Sequence, residues 1–341
     1  MKNSIKKQIR KLWECCFGDS PKFIDLYFNK RYTHERNLAI IKEEKVVSAL
    51  QLLPYPLKVY NQIVDTLYIS GAATFPEYRN QGVMKQLILK SFHRMQNQSI
   101  PISTLIPAEH WLFDYYEKSG YATVFYAKQQ TVKKEDLSNH QPTTAYRFSS
   151  QTEFNKELQS YMDNKLKELP CSILHPQEDM EVVLADLALA DGDIIVINKE
   201  KNIVGFAIIW QKENVIYINE LIADSTDIEK DLFYFLLKSN QGYDTIQRIT
   251  PSTQEKGEPL GMLRIINLES ILNIFAQNNP NQSIDFNLID SILETNSGYY
   301  KIDKGICIKK DLQEGVPYKN IVDVTRDLFL PLNPYMSLML N

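Results

Sequence analysis

The apolar positions of this chain change period several times, and each change marks an element. Over residues 1–17, Ile5, Ile9 and Leu12 recur at helical spacing between basic residues, which predicts an amphipathic first helix. Ser20-Pro21 reads as an N-cap followed by proline at the first helical position, with Phe23, Leu26 and Tyr27 as the stripe behind it. Residues 38–42 and 46–53 read as strands joined by the charged turn Glu43-Glu44-Lys45, and 57–60 and 64–74 continue the sheet. Helix 83–97, strand 100–107, helix 109–118 and strand 121–130 complete a first unit of order α-α-β-β-β-β-α-β-α-β. Gly120 is the stop signal of the last helix.

A polar stretch over 133–144 then marks a boundary or an exposed connection. Helices are expected at 153–167 and 180–190, strands at 194–198, 203–211 and 215–223, and an amphipathic helix at 227–239. This repeats the strand-strand-strand-helix order of the first unit; an unrelated α+β domain is the alternative. From Gly261 the pattern changes again: a strand leads into helix 268–277, and strands with glycine punctuation follow over 284–293 and 298–309.

The segment richest in chemistry is Tyr68-Ile-Ser-Gly-Ala-Ala-Thr-Phe-Pro-Glu-Tyr-Arg79-Asn-Gln-Gly82-Val-Met. A strand feeds a glycine-containing loop at a helix N-terminus, where unpaired N–H groups and the helix dipole favour an anion. No Gly-Lys-Ser/Thr follows, so this is not a Walker loop, and a single glycine is not a dinucleotide fingerprint. Gly82 alone is equally an ordinary turn glycine.

The order Pro76-x-x-Arg79-x-x-Gly82-x-Met84 resembles the acetyl-CoA signature of the GNAT N-acetyltransferases, Arg/Gln-x-x-Gly-x-Gly/Ala, with Met84 in place of the usual small residue. A second block, strand 100–107 followed by Ala108-Glu109-His110-Trp111-Leu112-Phe113-Asp114-Tyr115-Tyr116-Glu117-Lys118-Ser119-Gly120-Tyr121, resembles the second half of the same cofactor site. The resemblance implies an α/β (α+β) GNAT fold with a mixed central sheet. The whole chain is then similar to the Eis-type acetyltransferases: a catalytic GNAT domain over 1–132, a degenerate GNAT-like domain over 145–255 without the Arg-x-x-Gly loop, and a short sterol-carrier-like α+β domain over 259–341.

By that resemblance, acetyl-CoA is the acyl donor. Arg79 belongs to the cofactor loop, and backbone N–H groups of Asn80, Gln81, Gly82, Val83, Met84 and Lys85 would hold the diphosphate. The main chain of Ala72, Ala73 and Thr74 would run beside the pantetheine arm, with Ala108 and Glu109 on the opposite strand's exit. The alternative for Ala72-Ala73 is small residues in a buried strand. Tyr116, four residues before Gly120, is the candidate general acid, against the alternative of a core aromatic, with Tyr115 as rival. Glu109 is either a helix cap or a base, and His110 is expected to be solvent-exposed. In Eis-type enzymes the chain's own carboxylate enters the site, and the apolar end Pro334-Tyr-Met-Ser-Leu-Met-Leu-Asn341 makes the Asn341 carboxylate a second catalytic candidate. The resemblance allows a small-molecule amine or a lysine side chain as acceptor, and a homo-oligomer. A non-catalytic acyl-CoA-binding or scaffold protein with a decayed site is the competing reading.

Composition narrows little more. With 341 residues, 44% hydrophobic, the chain is long enough for more than one domain at about 150 residues each. Lys+Arg 38 against Asp+Glu 42 leaves a net charge of -4, which lacks the basic excess of a nucleic-acid footprint. No apolar run approaches the roughly 18 residues of a membrane span, and the first residues lack a signal-peptide core, so a cytosolic protein is expected. Cys15 and Cys16 are adjacent, Cys171 and Cys307 isolated, and the five histidines show no metal-ligand spacing; free thiols and no metal are expected.

Overall fold

The structure is a computed structural model, and it describes residues 2–144, 146–151, 153–240 and 242–339. The first unit contains α1 (Lys2–Cys16), α2 (Pro21–Lys30), β1 (Asn37–Lys42), β2 (Lys45–Val59), β3 (Gln62–Thr74), α3 (Val83–Asn97), β4 (Ile102–Leu105), α4 (Trp111–Glu117) and β5 (Ala122–Lys133). Next come β6 (Tyr146–Gln151), α5 (Lys156–Glu168), β7 (Cys171–Ile173), α6 (Gln177–Leu189), β8 (Asp193–Lys199), β9 (Asn202–Lys212), β10 (Val215–Ala223), α7 (Thr226–Ser239) and β11 (Thr245–Ser252). The chain finishes with β12 (Glu258–Ile265), α8 (Leu268–Asn278), β13 (Ile284–Leu288), β14 (Gly298–Asp303), β15 (Ile306–Lys310), β16 (Tyr318–Lys319) and α9 (Ile321–Phe329).

Local signals act where expected. Ser20 Oγ accepts from Phe23 N at 3.2 Å, and Pro21 opens α2. α1 and α2 bury Ile9, Leu12, Trp13, Ile24, Tyr27 and Phe28 against Val46, Ala49 and Ala73. α3 turns Val83, Leu87, Ile88, Phe92 and Met95 onto Val47, Leu50, Leu52, Leu67 and Ile69. The central strands are thus covered by helices and buried on both faces, as mixed sheets of this class require.

One strand differs from the sequence reading. Residues 46–53 and 57–60 form a single strand, β2, despite Pro54 and Pro56. β1 pairs with β2 only up to Gln51, and β7 pairs with it only from Leu57 to Val59. The two prolines fall between these ladders, where one edge of β2 needs no N–H donor.

Twelve strands share one sheet, with β1-β2-β3-β4-β12-β5-β11-β10-β9-β8-β6 as its path and β7 added on β2. β12 lies between β4 and β5, antiparallel to both: Met262 faces Leu105 and Ile265 faces Ile102 on one side, and Leu263 faces Ala122 on the other. The strand that opens the last quarter of the chain therefore completes the sheet of the first unit. β11 pairs with the outer half of β5, from Ser252 opposite Tyr126 to Thr245 opposite Lys133, and so carries the sheet into the second unit. A smaller sheet, β15-β14-β13-β16, packs with α8 and α9. Its core is continuous with that of the first unit through Leu57, Val59, Phe125, Leu272, Phe275, Tyr300 and Phe329. Among the described residues no helix is long and apolar enough to cross a membrane.

A fragment ending at Lys133 keeps β4 and β5 but loses the strand between them. It is expected to give no cooperative transition in a circular-dichroism thermal scan, whereas the full chain melts cooperatively. A cooperative melt of residues 1–133 would show that this sheet closes without β12.

Candidate active site

β3 and β4 run parallel for only three pairs, Thr66–Ile102, Leu67–Ser103 and Tyr68–Thr104. β3 continues to Thr74 with no partner on that side, so the two strands part. A bulge sits in the unpaired stretch. Ala73 faces Ala49 and Ser70 faces Gln51, which leaves Gly71 and Ala72 opposite the single residue Leu50. A bulge of this kind frees a backbone group from the ladder and re-aims it. Gly71 has φ +58°, and a Cβ there would lie 2.2 Å from the Trp13 ring. Trp13 is itself fixed by its indole N–H, which donates to Asp19 at 2.7 Å. A glycine inside an apolar strand is the one local sign of this bulge in the sequence; nothing local pointed to Trp13.

The loop after β3 is fastened from within. Arg79 Nε donates to the Thr74 carbonyl at 3.1 Å, and Gln81 Nε2 donates to the Glu77 carbonyl at 2.9 Å. Asn80 and Gly82 take positive φ, 60° and 73°. Gly82 is the N-cap of α3 and offers no side chain; the first helical bond is from Gln86 N to its carbonyl, 3.0 Å. The N–H groups of Val83, Met84 and Lys85 are therefore without intrahelical partners. The first turn holds no acidic residue, and nothing lies within 4 Å of a Cβ built on Gly82. Met84 is half-buried and packs against the core beneath α3.

The second unit provides an internal contrast. β10 and β11 are also parallel, over four pairs ending at Ile218–Arg248, and β10 also carries a bulge, at Asn219. Yet Ser225 Oγ caps α7 by accepting from Ile228 N at 3.3 Å, and Asp227 and Glu229 stand in its first turn. Arg248 pairs with that Glu229. Tyr335, Met336 and Ser337 line the gap beyond the ladder with Asn219, Ile249 and Thr250, leaving a cavity of only about 20 Å³. Tyr335 Oη and Ser337 Oγ both donate to the buried Glu220.

Tyr116 is buried, 7% exposed, in the same apolar cluster as Val83, Leu87, Leu67 and Leu105. Its ring meets Tyr115 at 5.4 Å and Tyr121 at 5.8 Å, both edge-on. Burial, reinforced by the neighbouring Tyr115, pushes this phenol well above its ordinary value. Tyr115 is raised by burial as well. α4 ends as the sequence suggested: Gly120 takes φ +84°, and the N–H groups of Ser119 and Tyr121 both reach the Tyr116 carbonyl.

Of the residues singled out from the sequence, Ala72, Ala73 and Thr74 lie on the free end of β3, and Arg79 to Lys85 form the loop and first turn of α3. Ala108 and Glu109 lie exposed in the connection between β4 and α4. α4 begins at Trp111, two residues later than expected, and its start has no side-chain cap. The capping role considered for Glu109 is therefore not observed; only its carbonyl is used, by Leu112 N at 3.0 Å. Asn341 lies outside the described residues. The tail leading to it is docked: Tyr335 N donates to the Cys171 carbonyl at 2.9 Å and Ile173 N to the Tyr335 carbonyl at 3.0 Å. No group of three metal-ligating side chains occurs among the described residues.

Residues 1–124 match the family model described as an acetyltransferase (GNAT) domain. Over that segment the chain is similar to GNAT acetyltransferases. Solved structures of similar fold include a conserved protein of unknown function from Enterococcus faecalis V583, described as a probable N-acyltransferase, 16% identical over 96% of this chain and 87% of that one, TM-score 0.81. A GCN5-related N-acetyltransferase from Anabaena variabilis ATCC 29413 is 17% identical over 94% of this chain and 86% of its own, TM-score 0.75. Eis1 from Mycobacterium abscessus is 11% identical over 96% and 88%, TM-score 0.75. At these identities the likeness is one of fold. No curated protein matches the chain in sequence.

The two glycines of the cleft separate strain from collision. Gly82→Ala meets open space and is expected to lose about 1 kcal/mol of stability, the cost of a left-handed alanine. Gly71→Ala carries the same strain and also drives into Trp13, so a loss of about 2 kcal/mol or more is expected. Denaturant unfolding of both variants checks the order; equal losses would mean that Trp13 does not hold the bulge.

Proposed function

We propose that the chain is an acetyl-CoA-dependent N-acetyltransferase acting on a primary amine, of a small molecule or of a lysine side chain. The observation that carries this reading is the uncapped, acid-free N-terminus of α3 opening beside the parted strands β3 and β4, with Tyr116 in the same cluster. A diphosphate suits the free N–H groups from Asn80 to Lys85. The bulged backbone at Ala72 and Ala73, with Thr74, suits a carbonyl in need of a fixed N–H donor. Acetyl-CoA supplies both parts, and its acyl group arrives activated as a thioester.

The chain's own task is to orient the partners and manage protons. Because burial raises the Tyr116 phenol, its neutral form persists past the ordinary tyrosine value of about 10, and it can donate toward a departing sulfur throughout the neutral range. The attacking amine must be neutral, and a free alkyl ammonium titrates near ~10.4. Activity should therefore rise with pH, without a falling limb from Tyr116 below about pH 10. The sign for stability is the reverse: above the unfolded phenol's value of about 10 the unfolded chain sheds this proton first, so folding weakens as pH rises.

The same reading treats residues 1–132 as the catalytic domain, 145–255 as a GNAT-like domain whose anion site is closed by Ser225, Glu229 and the tail, and 259–341 as a short sterol-carrier-like domain that lends β12 to the first. The Asn341 carboxylate is read as a second catalytic group. Met336 packs on Gly261, beside the Leu105 carbonyl at the end of β4. Five further residues can reach up to about 17 Å from there.

Tyr116→Phe is expected to lower kcat about 100-fold with little change in binding of acetyl-CoA, read as free thiol released during an amine screen. Turnover equal to wild type would sink Tyr116 as the acid; acetyl-CoA binding with no turnover for any amine would favour the non-catalytic reading. Removal of Met339 to Asn341 is expected to abolish turnover and spare acetyl-CoA binding, as measured by calorimetry. Retained turnover would remove Asn341 from the mechanism.

A further inference from the structure

Arg264 is the largest fully buried side chain of the described residues, with 0% exposure. It stands on β12 opposite Ser103 and pairs with Asp290 through Nη2. Its Nε and Nη1 are buried and bonded to nothing among the described residues. The guanidinium carbon lies 5.7 Å from the centroid of Phe92. The other neighbour is Gly120: a Cβ there would come within 2.7 Å of Arg264 Nε and 2.8 Å of Cζ. Gly120 is the residue that ends α4, and the Tyr116 carbonyl accepts two N–H groups of the same turn. Tyr121, next in the chain, packs edge-on against Tyr116 and bonds Ser103 Oγ at 2.7 Å.

Space-filling does not explain this arginine. A buried guanidinium with two unmet donors is costly, and a well-packed apolar side chain would serve a purely structural purpose as well or better. What the guanidinium adds is a flat, charged plate that Asp290 holds in one orientation. Asp290 is itself fixed, accepting from Ile292 N, Leu293 N and Asn296 Nδ2. The plate lies against the turn that sets where Tyr116 points.

We propose that Arg264, held by Asp290, is a positioning residue for Tyr116. Through β12 the last quarter of the chain fixes the C-terminal turn of α4, and with it the place of the phenol in the cleft. The catalytic consequence rests on the reading of Tyr116 as the acid; the positioning itself does not.

The test places 3-fluorotyrosine at position 116 of the full chain and records its fluorine resonance in wild type, Arg264→Met, Arg264→Lys and Asp290→Asn. A single resonance is expected in wild type. It should shift or broaden in Arg264→Met and Asp290→Asn, and move less in Arg264→Lys, which keeps the charge but not the plane. In the unlabelled proteins kcat should fall about tenfold or more while KM for acetyl-CoA stays within about twofold. A resonance unmoved in variants that still melt cooperatively would overturn the proposal. Should Arg264→Met not fold, Asp290→Asn, which keeps the side chain's shape, decides by the same resonance. If wild type releases no thiol with any amine while the resonance moves, the acetyltransferase reading fails and the positioning role stands.

Discussion

The rest of the structure depends on the double ladder of β12. Four residues of β4 and the first half of β5 would otherwise face each other across a missing strand, each with an open edge. The strand that closes them comes from residue 258 onward, after an entire second unit. That unit must therefore leave and re-enter the sheet at neighbouring points, and it does so through β5 and β11. The same strand carries Arg264 beneath α4, sets Gly261 under Met336 of the tail, and delivers α8 to the core shared with the first unit. One twelve-stranded sheet follows from a single insertion.

Within that frame, the two units show how little separates an open helix start from a closed one. Both have parted parallel strands, a bulge and a following helix. α3 begins with a glycine that caps nothing and has no acid in its first turn. α7 begins with a serine that consumes an N–H and with Asp227 and Glu229, which occupy the positive end of the dipole. A cap and a dipole-facing acid are each worth about 1 kcal/mol or less. The second start is thus the more stable helix, and the first is the one left able to bind. Stability forgone at α3 is what a ligand can recover.

Much of this was legible along the chain because its causes are local. The apolar stripe of α3, the Ser20 cap, the Gly120 stop and the repeated strand order of the second unit all depend on residues a few positions apart. What escaped depends on distant partners. The apolar pattern divides β2 into 46–53 and 57–60, because sequence does not show that β1 and β7 both stop short of Pro54 and Pro56. Residues 261–268 read correctly as strand then helix, yet nothing in them shows that the strand pairs with β4 and β5. Gly120 read as a helix stop, which it is; that it also makes room for Arg264, over 140 residues later, is a contact no spacing can express. Of the roles that position alone allows Glu109, capping fails because the helix starts two residues beyond it.

The long-range joints share a chemistry. Asp179 of α6 is buried between Arg31 and His175, with the Tyr55 hydroxyl donating to it at 3.0 Å. Arg264 meets Asp290 beneath α4, and Glu220 takes the two hydroxyls of the tail. Each joins segments far apart in sequence, in surroundings that are otherwise apolar. Apolar surfaces attract without direction, so a seam built from them alone tolerates sliding. A buried charge that loses its partner costs about 3–5 kcal/mol, which no small shift of apolar contacts repays. His175 Nε2, Arg31 Nε and two nitrogens of Arg264 have no partner among the described residues even so, which argues that these pins do not serve total stability. They serve alignment, and the one nearest the cleft aligns the residue whose proton the proposed chemistry needs.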